Sequence, residues 1–190
     1  MARKRSQQQI TLEDIMKLGP KKIILLIIAA IGLYFGGQGI IEQQDDSGFI
    51  VGTVTRVVDG DTAEITVDGV KRRVRFLGVD TPETVHPNKP VQYYGKEASD
   101  FTKQSLTGKR VWLEYDKSPQ DRYNRDLAYI WTAKPKSITD ETMRRDMFNA
   151  RLLLGGYAKV MIIKPNNRYA KEFAEYESEA RNARRGVWAQ

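Results

Sequence analysis

Cysteine is absent from the 190 residues, which excludes disulfides, zinc–thiolate centres and thiol nucleophiles. Histidine is nearly absent: the single copy, His86, argues against a Ser–His triad. Acidic residues are in deficit, 24 against 31 Lys and Arg, for a net charge of +7. Residues 49–190 hold 25 of the cations and 19 of the acids, so the excess sits in the body of the chain. It favours polyanionic partners such as nucleic acid or an acidic membrane surface, a weak inference taken alone. No internal repeat and no low-complexity tract interrupts the sequence, and 41% hydrophobic content suffices for a real core.

Long apolar runs are scarce too, and the one present, residues 23–41, decides how the first 48 residues are organised. It is broken only by Gln38 and several glycines, and at about 1.5 Å per residue it just spans a hydrocarbon core. Arg3, Lys4, Arg5, Lys17, Lys21 and Lys22 precede it; Glu42, Asp45 and Asp46 follow, with no Lys or Arg before Arg56. That asymmetry is the positive-inside pattern. A buried core helix rarely has such one-sided flanks. A cleaved signal peptide has a shorter apolar core and an Ala-x-Ala site, which is not evident here. The expectation is an uncleaved single-pass anchor in the cytoplasmic membrane. Residues 1–22 would be a basic cytoplasmic segment, 23–41 the transmembrane helix, 42–48 a polar linker and 49–190 a domain outside.

From residue 49 the pattern turns to strands. Residues 49–58 are rich in β-branched side chains, Asp59-Gly60 turns the chain, and 62–67 form a second strand. Asp68-Gly69 accepts the positive φ angles of a tight hairpin, so 70–77 return as a third. That strand alternates Val70, Val74 and Phe76 with Lys71, Arg73 and Arg75, one greasy and one cationic face. A helix over 91–106 is predicted next, then strands over 109–116 and 126–132. A helix over 140–154 is capped by Thr139 and stopped by Gly155-Gly156, and a last helix spans 168–185. This order fits an α+β domain, a five-stranded OB-fold barrel with about three packed helices, preceded by the membrane helix.

The hairpin joins two acidic clusters. Asp59-Gly60-Asp61-Thr62 stands at one end and Asp80-Thr81-Pro82-Glu83 at the other, with Arg75 shortly before the second. Folding the hairpin brings both ends to one rim, where such groups make poor core and good chemistry. Further on come His86-Pro87, Tyr94-Gly95 with Glu97-Ala98, Asp121-Arg122-Tyr123 with Arg125, Leu127-Ala128-Tyr129, and Lys164-Pro165-Asn166-Asn167. In this order and spacing, residues 49–188 resemble a staphylococcal nuclease (thermonuclease) domain.

The resemblance implies an OB-fold calcium-dependent phosphodiesterase acting on single-stranded DNA and RNA. It implies Asp61 and Asp80 as carboxylate ligands of Ca2+, with Thr81 giving its backbone carbonyl, a hard-oxygen set suited to that ion. Glu83 matches the base or water-positioning residue, and Arg75 and Arg125 match the pair that clamps phosphate oxygens. A planar, always-charged guanidinium suits that task. Tyr123 matches a contact to a terminal phosphate, with Arg122 and Lys89 as nearby cations. No protein partner can be inferred, and a monomeric catalytic domain is expected.

Bland alternatives stand beside these assignments. Asp59 reads better as a brace of the turn than as a metal ligand. Arg75 has the alternative of being one more cation on a solvated strand face, and Arg125 of pairing with Asp121 or Asp126 as a surface ion pair. The whole domain has the alternative of being a non-catalytic module that keeps the barrel to hold nucleic acid or protein. One departure from the family matters: the two tyrosines that often precede Lys-Pro-Asn-Asn are replaced by Met161-Ile162-Ile163, one residue shorter. Weaker nucleotide binding is then expected, since such rings hold single strands by stacking, and Tyr157 and Tyr169 are the replacements to consider.

Overall fold

A computed structural model describes residues 48–84, Pro90 and 92–189 of the chain. The expected basic segment 1–22, the membrane span 23–41 and all of the linker but Gly48 lie outside the described residues, as do His86 and Lys89. Among the described residues no helix is long and apolar enough to cross a membrane.

The strands are β1 (Phe49–Asp59), β2 (Thr62–Val67), β3 (Val70–Phe76), β4 (Gly78–Asp80), β5 (Arg110–Gln120), β6 (Asp126–Trp131) and β7 (Lys159–Met161). Five of them close into a barrel in the order β1-β2-β3-β6-β5. The meander β1-β2-β3 is antiparallel, β3 and β6 run parallel, and β5 pairs antiparallel with β6 and β1. Asp68 and Gly69 adopt φ of 49° and 75°, the left-handed pair that a two-residue hairpin needs. Val54, Ile65, Phe76, Leu113 and Ile130 are fully buried, filling the barrel interior with β-branched and large apolar side chains.

Among the described residues four α-helices pack around the barrel: α1 (Gly95–Leu106), α2 (Asp140–Asp146), α3 (Phe148–Leu154) and α4 (Ala170–Asn182). The expected third strand and the expected helices need correction in three places. Val70 is 56% exposed and Arg75 is buried, so the two faces of β3 do not sort into apolar and cationic along its whole length. The helix read over 91–106 starts at Gly95, because Tyr94 takes a left-handed φ of 63° that a helix cannot include. The helix read over 140–154 is two helices, because Met147 leaves helical geometry (ψ 115°) to form a β-bridge with Trp131. The predicted Thr139 cap is present, with its hydroxyl accepting from the Thr142 N–H.

Two short strands lie outside the barrel. β4 and β7 pair antiparallel, setting Asp80 opposite Lys159. Gly78 makes the bend from β3 into β4 with φ of 75°, and a Cβ there would fall 2.4 Å from the Phe173 ring. Only glycine satisfies both conditions, and the bend returns Asp80 to the barrel rim.

An ionic staple joins α2 to α4. Tyr176 donates its hydroxyl to Asp140 Oδ1 at 2.7 Å, Arg144 Nε donates to Asp140 Oδ2 at 2.7 Å, and the rest of the Arg144 fork grips Glu179. The Tyr176 hydrogen bond, then that of Arg144, holds the Asp140 carboxyl below its ordinary value. A depressed acid stabilises the fold above its unfolded pKa of about 3.8 and loses that contribution as pH falls through the lower folded value. Tyr176→Phe should therefore lose less stability than wild type as pH falls below about 5, read as urea midpoints against pH. Parallel curves would mean that the Tyr176 hydrogen bond contributes nothing.

Candidate active site

The rim of the barrel gathers the two acidic clusters, as the hairpin requires. Asp61, just before β2, is buried and bonded through both oxygens, Oδ1 to a single donor that leaves it room for a cation. Its Oδ2 accepts from the Thr81 N–H at 2.9 Å and the Thr81 hydroxyl at 3.0 Å, and lies 2.8 Å from Arg75 Nη1; its Oδ1 accepts from the Thr62 hydroxyl at 3.0 Å. Gly60 lets this happen, since a Cβ at that position would stand 2.7 Å from the Thr81 hydroxyl. Asp59 braces the turn: its Oδ1 accepts from the Gly60 N–H at 2.8 Å and from the Thr84 hydroxyl at 2.6 Å. From α1, Thr102 donates its hydroxyl to the Gly60 carbonyl at 2.6 Å and ties the same turn down.

Arg75 is only 5% exposed, so it is not a cation on a solvated strand face. It donates Nη2 to Asp80 Oδ1 at 2.8 Å and Nη1 to the Val79 carbonyl at 2.9 Å while also facing Asp61. Burial pushes the Asp80 carboxyl up, Arg75 opposes this, and the charges of Asp61 and Glu83 raise it further. Burial also raises Asp59; the Thr84 and Gly60 hydrogen bonds counter it, and Glu83 and Asp61 add to it. Carboxylates crowded at one point repel one another, and a bound cation relieves that repulsion.

Glu83 is held by its backbone. Its N–H donates to Gln92 Oε1 at 3.0 Å, and its carbonyl accepts the Gln92 N–H at 3.0 Å. This reciprocal clamp fixes the residue without using its carboxylate. Arg125 carries the pairing that the bland alternative foresaw: Nε donates to Asp121 Oδ2 at 2.7 Å, and its own N–H donates to Asp121 Oδ1. Even so, Arg125 lines the same cavity as Asp61, Arg75, Asp80, Thr81 and Glu83, a space of about 270 Å³. Tyr123 is 63% exposed and lies beneath two guanidiniums, Arg122 at 4.8 Å and Arg125 at 5.5 Å from its ring centre.

The donors fit a hard cation. Asp61, Asp80 and Thr81 offer only oxygen, and the chain has no thiolate to recruit a softer ion. Among the described residues no group of three or more His, Cys, Asp or Glu is close enough to cage a metal. An ion held here would complete its shell with water and phosphate oxygens, an arrangement that leaves room for substrate.

Neither replacement considered for the missing tyrosine pair has a free ring. Tyr169 is buried with its hydroxyl donated to Glu114, and Tyr157 is sandwiched between Tyr94 at 5.7 Å and Phe101 at 4.2 Å. Gln92 and Thr102 escaped the sequence reading. Gln92 sits in a stretch that reads as the start of a helix, and Thr102 looks like an ordinary helix residue.

A closed five-stranded barrel with carboxylates and guanidiniums converging at one rim is a scaffold for chemistry at a phosphate. A family model described as Staphylococcal nuclease homologue matches residues 73–190. The Thermonuclease of Staphylococcus hyicus is 45% identical over 136 residues, covering 72% of this chain and 74% of its own. The Thermonuclease of Staphylococcus intermedius is 42% identical over 172 residues, covering 87% and 95%. Endonuclease YncB of Bacillus subtilis is 37% identical over 139 residues, covering 72% of this chain and 61% of that protein. The chain belongs to the staphylococcal nuclease family.

Proposed function

We propose that this chain is a nuclease, a calcium-dependent phosphodiester hydrolase acting on single-stranded DNA and RNA. One observation carries the reading: Asp61, Arg75, Asp80, Thr81, Glu83 and Arg125 all line a single cavity at the barrel rim. The names of the thermonuclease and endonuclease relatives support it. Glu83 orients a water in line with the phosphorus and takes its proton as the new P–O bond forms, while the bond to the leaving sugar oxygen breaks and that oxygen takes a proton from solvent. Arg75 and Arg125 donate to the non-bridging oxygens, where charge rises most in the transition state, so they lower the barrier more than they tighten ground-state binding. Asp61, Asp80 and the Thr81 carbonyl would hold the calcium ion, which supplies Lewis-acid stabilisation of the phosphate charge. The membrane tether and the placement of the domain outside rest on residues 23–41 and their flanking charges.

A non-catalytic binding module is the second reading, favoured by the pairing of Arg125 with Asp121. Incubating the full chain with single-stranded DNA and RNA, with calcium or with chelator, separates the two. Cleavage that requires calcium is the expected result. Binding that weakens steeply with salt, with no cleavage in either condition, would overturn the nuclease in favour of the module.

A further inference from the structure

A second cavity adjoins the first. It measures about 380 Å³, and Asp80 and Thr81 line both, so the two cavities share a wall. Tyr93, Gln92 and Lys159 form much of its remaining wall. Tyr93 is 54% exposed. Exposed tyrosines are common, but this one is the outer member of a column of rings. Tyr93 meets Tyr94 at 5.9 Å with its ring tilted by 42°, and behind it Tyr94 stacks on Tyr157 at 5.7 Å, Tyr157 on Phe101 at 4.2 Å, and Phe101 on Phe148 at 5.6 Å. Phe148 is fully buried, so the column runs from the core to the wall of this cavity. A ring seated on such a column loses little freedom when a second flat group lies against it, which is the condition for an efficient stacking surface.

We infer that this cavity is a nucleobase subsite, with Tyr93 as its stacking surface, for the base adjoining the scissile phosphate on the Asp80–Thr81 side. The inference rests on the nuclease reading and deepens it. Lys159, across the β4–β7 pair from Asp80, lines the same cavity with its ammonium 5.2 Å from the Trp188 ring centre and supplies a cation for a neighbouring phosphate. The ligand is a single strand: a flat base must be unstacked from its neighbours to reach the ring, and stacking reads no sequence. Tyr93 thus does for this chain what the absent tyrosine pair does elsewhere, at a different wall. Tyr123 meets the catalytic cavity through Arg125, and Tyr93 meets it through Asp80 and Thr81.

The test uses the full chain with calcium and three short DNA strands, each with one hydrolysable linkage: fully based, abasic just 5′ of that linkage, and abasic just 3′ of it. Tyr93→Ala should raise KM about 10-fold on the fully based strand with kcat nearly unchanged. On one of the two abasic strands it should have no effect, because the base it would hold is missing. Tyr93→Trp, which restores a ring, should return KM to the wild-type range. In parallel, 2-aminopurine at the responsive position should be quenched on binding to Glu83→Gln protein and stay bright when Tyr93→Ala is added. An equal KM change on all three strands, no change on any, or quenching that survives Tyr93→Ala overturns the subsite. If no strand is cleaved, the nuclease reading fails and the quenching alone decides the subsite.

Discussion

Glu83→Gln should lower kcat on single-stranded DNA by about 10³-fold, within the range attributed to a positioned general base. KM and the thermal midpoint should hardly move. The clamp to Gln92 uses the backbone N–H and carbonyl of Glu83, both of which the variant keeps. At Asp59 the Glu83 side chain acts through a hydrogen bond, which the glutamine amide can still donate, and at Asp80 through its negative charge, whose removal relieves repulsion. Single-turnover cleavage and a melting curve on the same preparation check both halves. A fall in the melting midpoint matching the loss of activity would recast Glu83 as a structural residue. Turnover close to wild type would remove it from the mechanism.

Glu114→Ala should cost about 4 kcal/mol of folding stability, the scale for removing one member of a buried charged network. Glu114 is buried on β5, where it accepts from Trp131 Nε1 at 2.9 Å and the Tyr169 hydroxyl at 2.8 Å, and is gripped by Arg168. These donors come from β6 and from the residues leading into α4, so one carboxylate ties the barrel to its last helix. The substitution strands two buried donors and a partly buried guanidinium at once. Urea unfolding should show a lower midpoint with an unchanged slope. The activity of the folded fraction should remain, since none of these groups lines either cavity. A loss below about 1 kcal/mol would mean that water replaces the carboxylate cheaply.

How much of this was legible in the sequence depended on how far apart the partners lie. Asp68-Gly69, the Thr139 cap and the Asp59 brace are local chemistry, and each could be read from a few neighbouring residues. The meeting of Asp61, Arg75 and Asp80 needed only one hairpin, so it too was legible. Met147 was not: nothing near it stops a helix, and the break comes from a bridge to Trp131 on a strand read separately. β4 and β7, three residues each, exist because they pair with one another, and neither announces itself alone. Arg75 was placed on the right strand, with a solvated face left open as the alternative, because alternation along β3 does not reveal that Val79 and Asp80 of β4 return to engage its guanidinium. Tyr93 was missed because a stacking column joining four stretches of chain leaves no periodic trace in any one of them.

The parallel pairing of β3 with β6 has a kinetic meaning. The contacts that unite Asp61, Arg75 and Asp80 close only the span of one hairpin and its return. Registering Arg75 beside Leu127 closes a loop of about 50 residues, at a greater entropic cost that must be met before the contact gives anything back. Arg125 reaches the rim only with that closure. On loop entropy alone, the acidic half of the site is the cheaper part to assemble and its second guanidinium the costlier. By that ordering the carboxylates and Arg75 come together at the rim before Arg125 completes the grip on a phosphate.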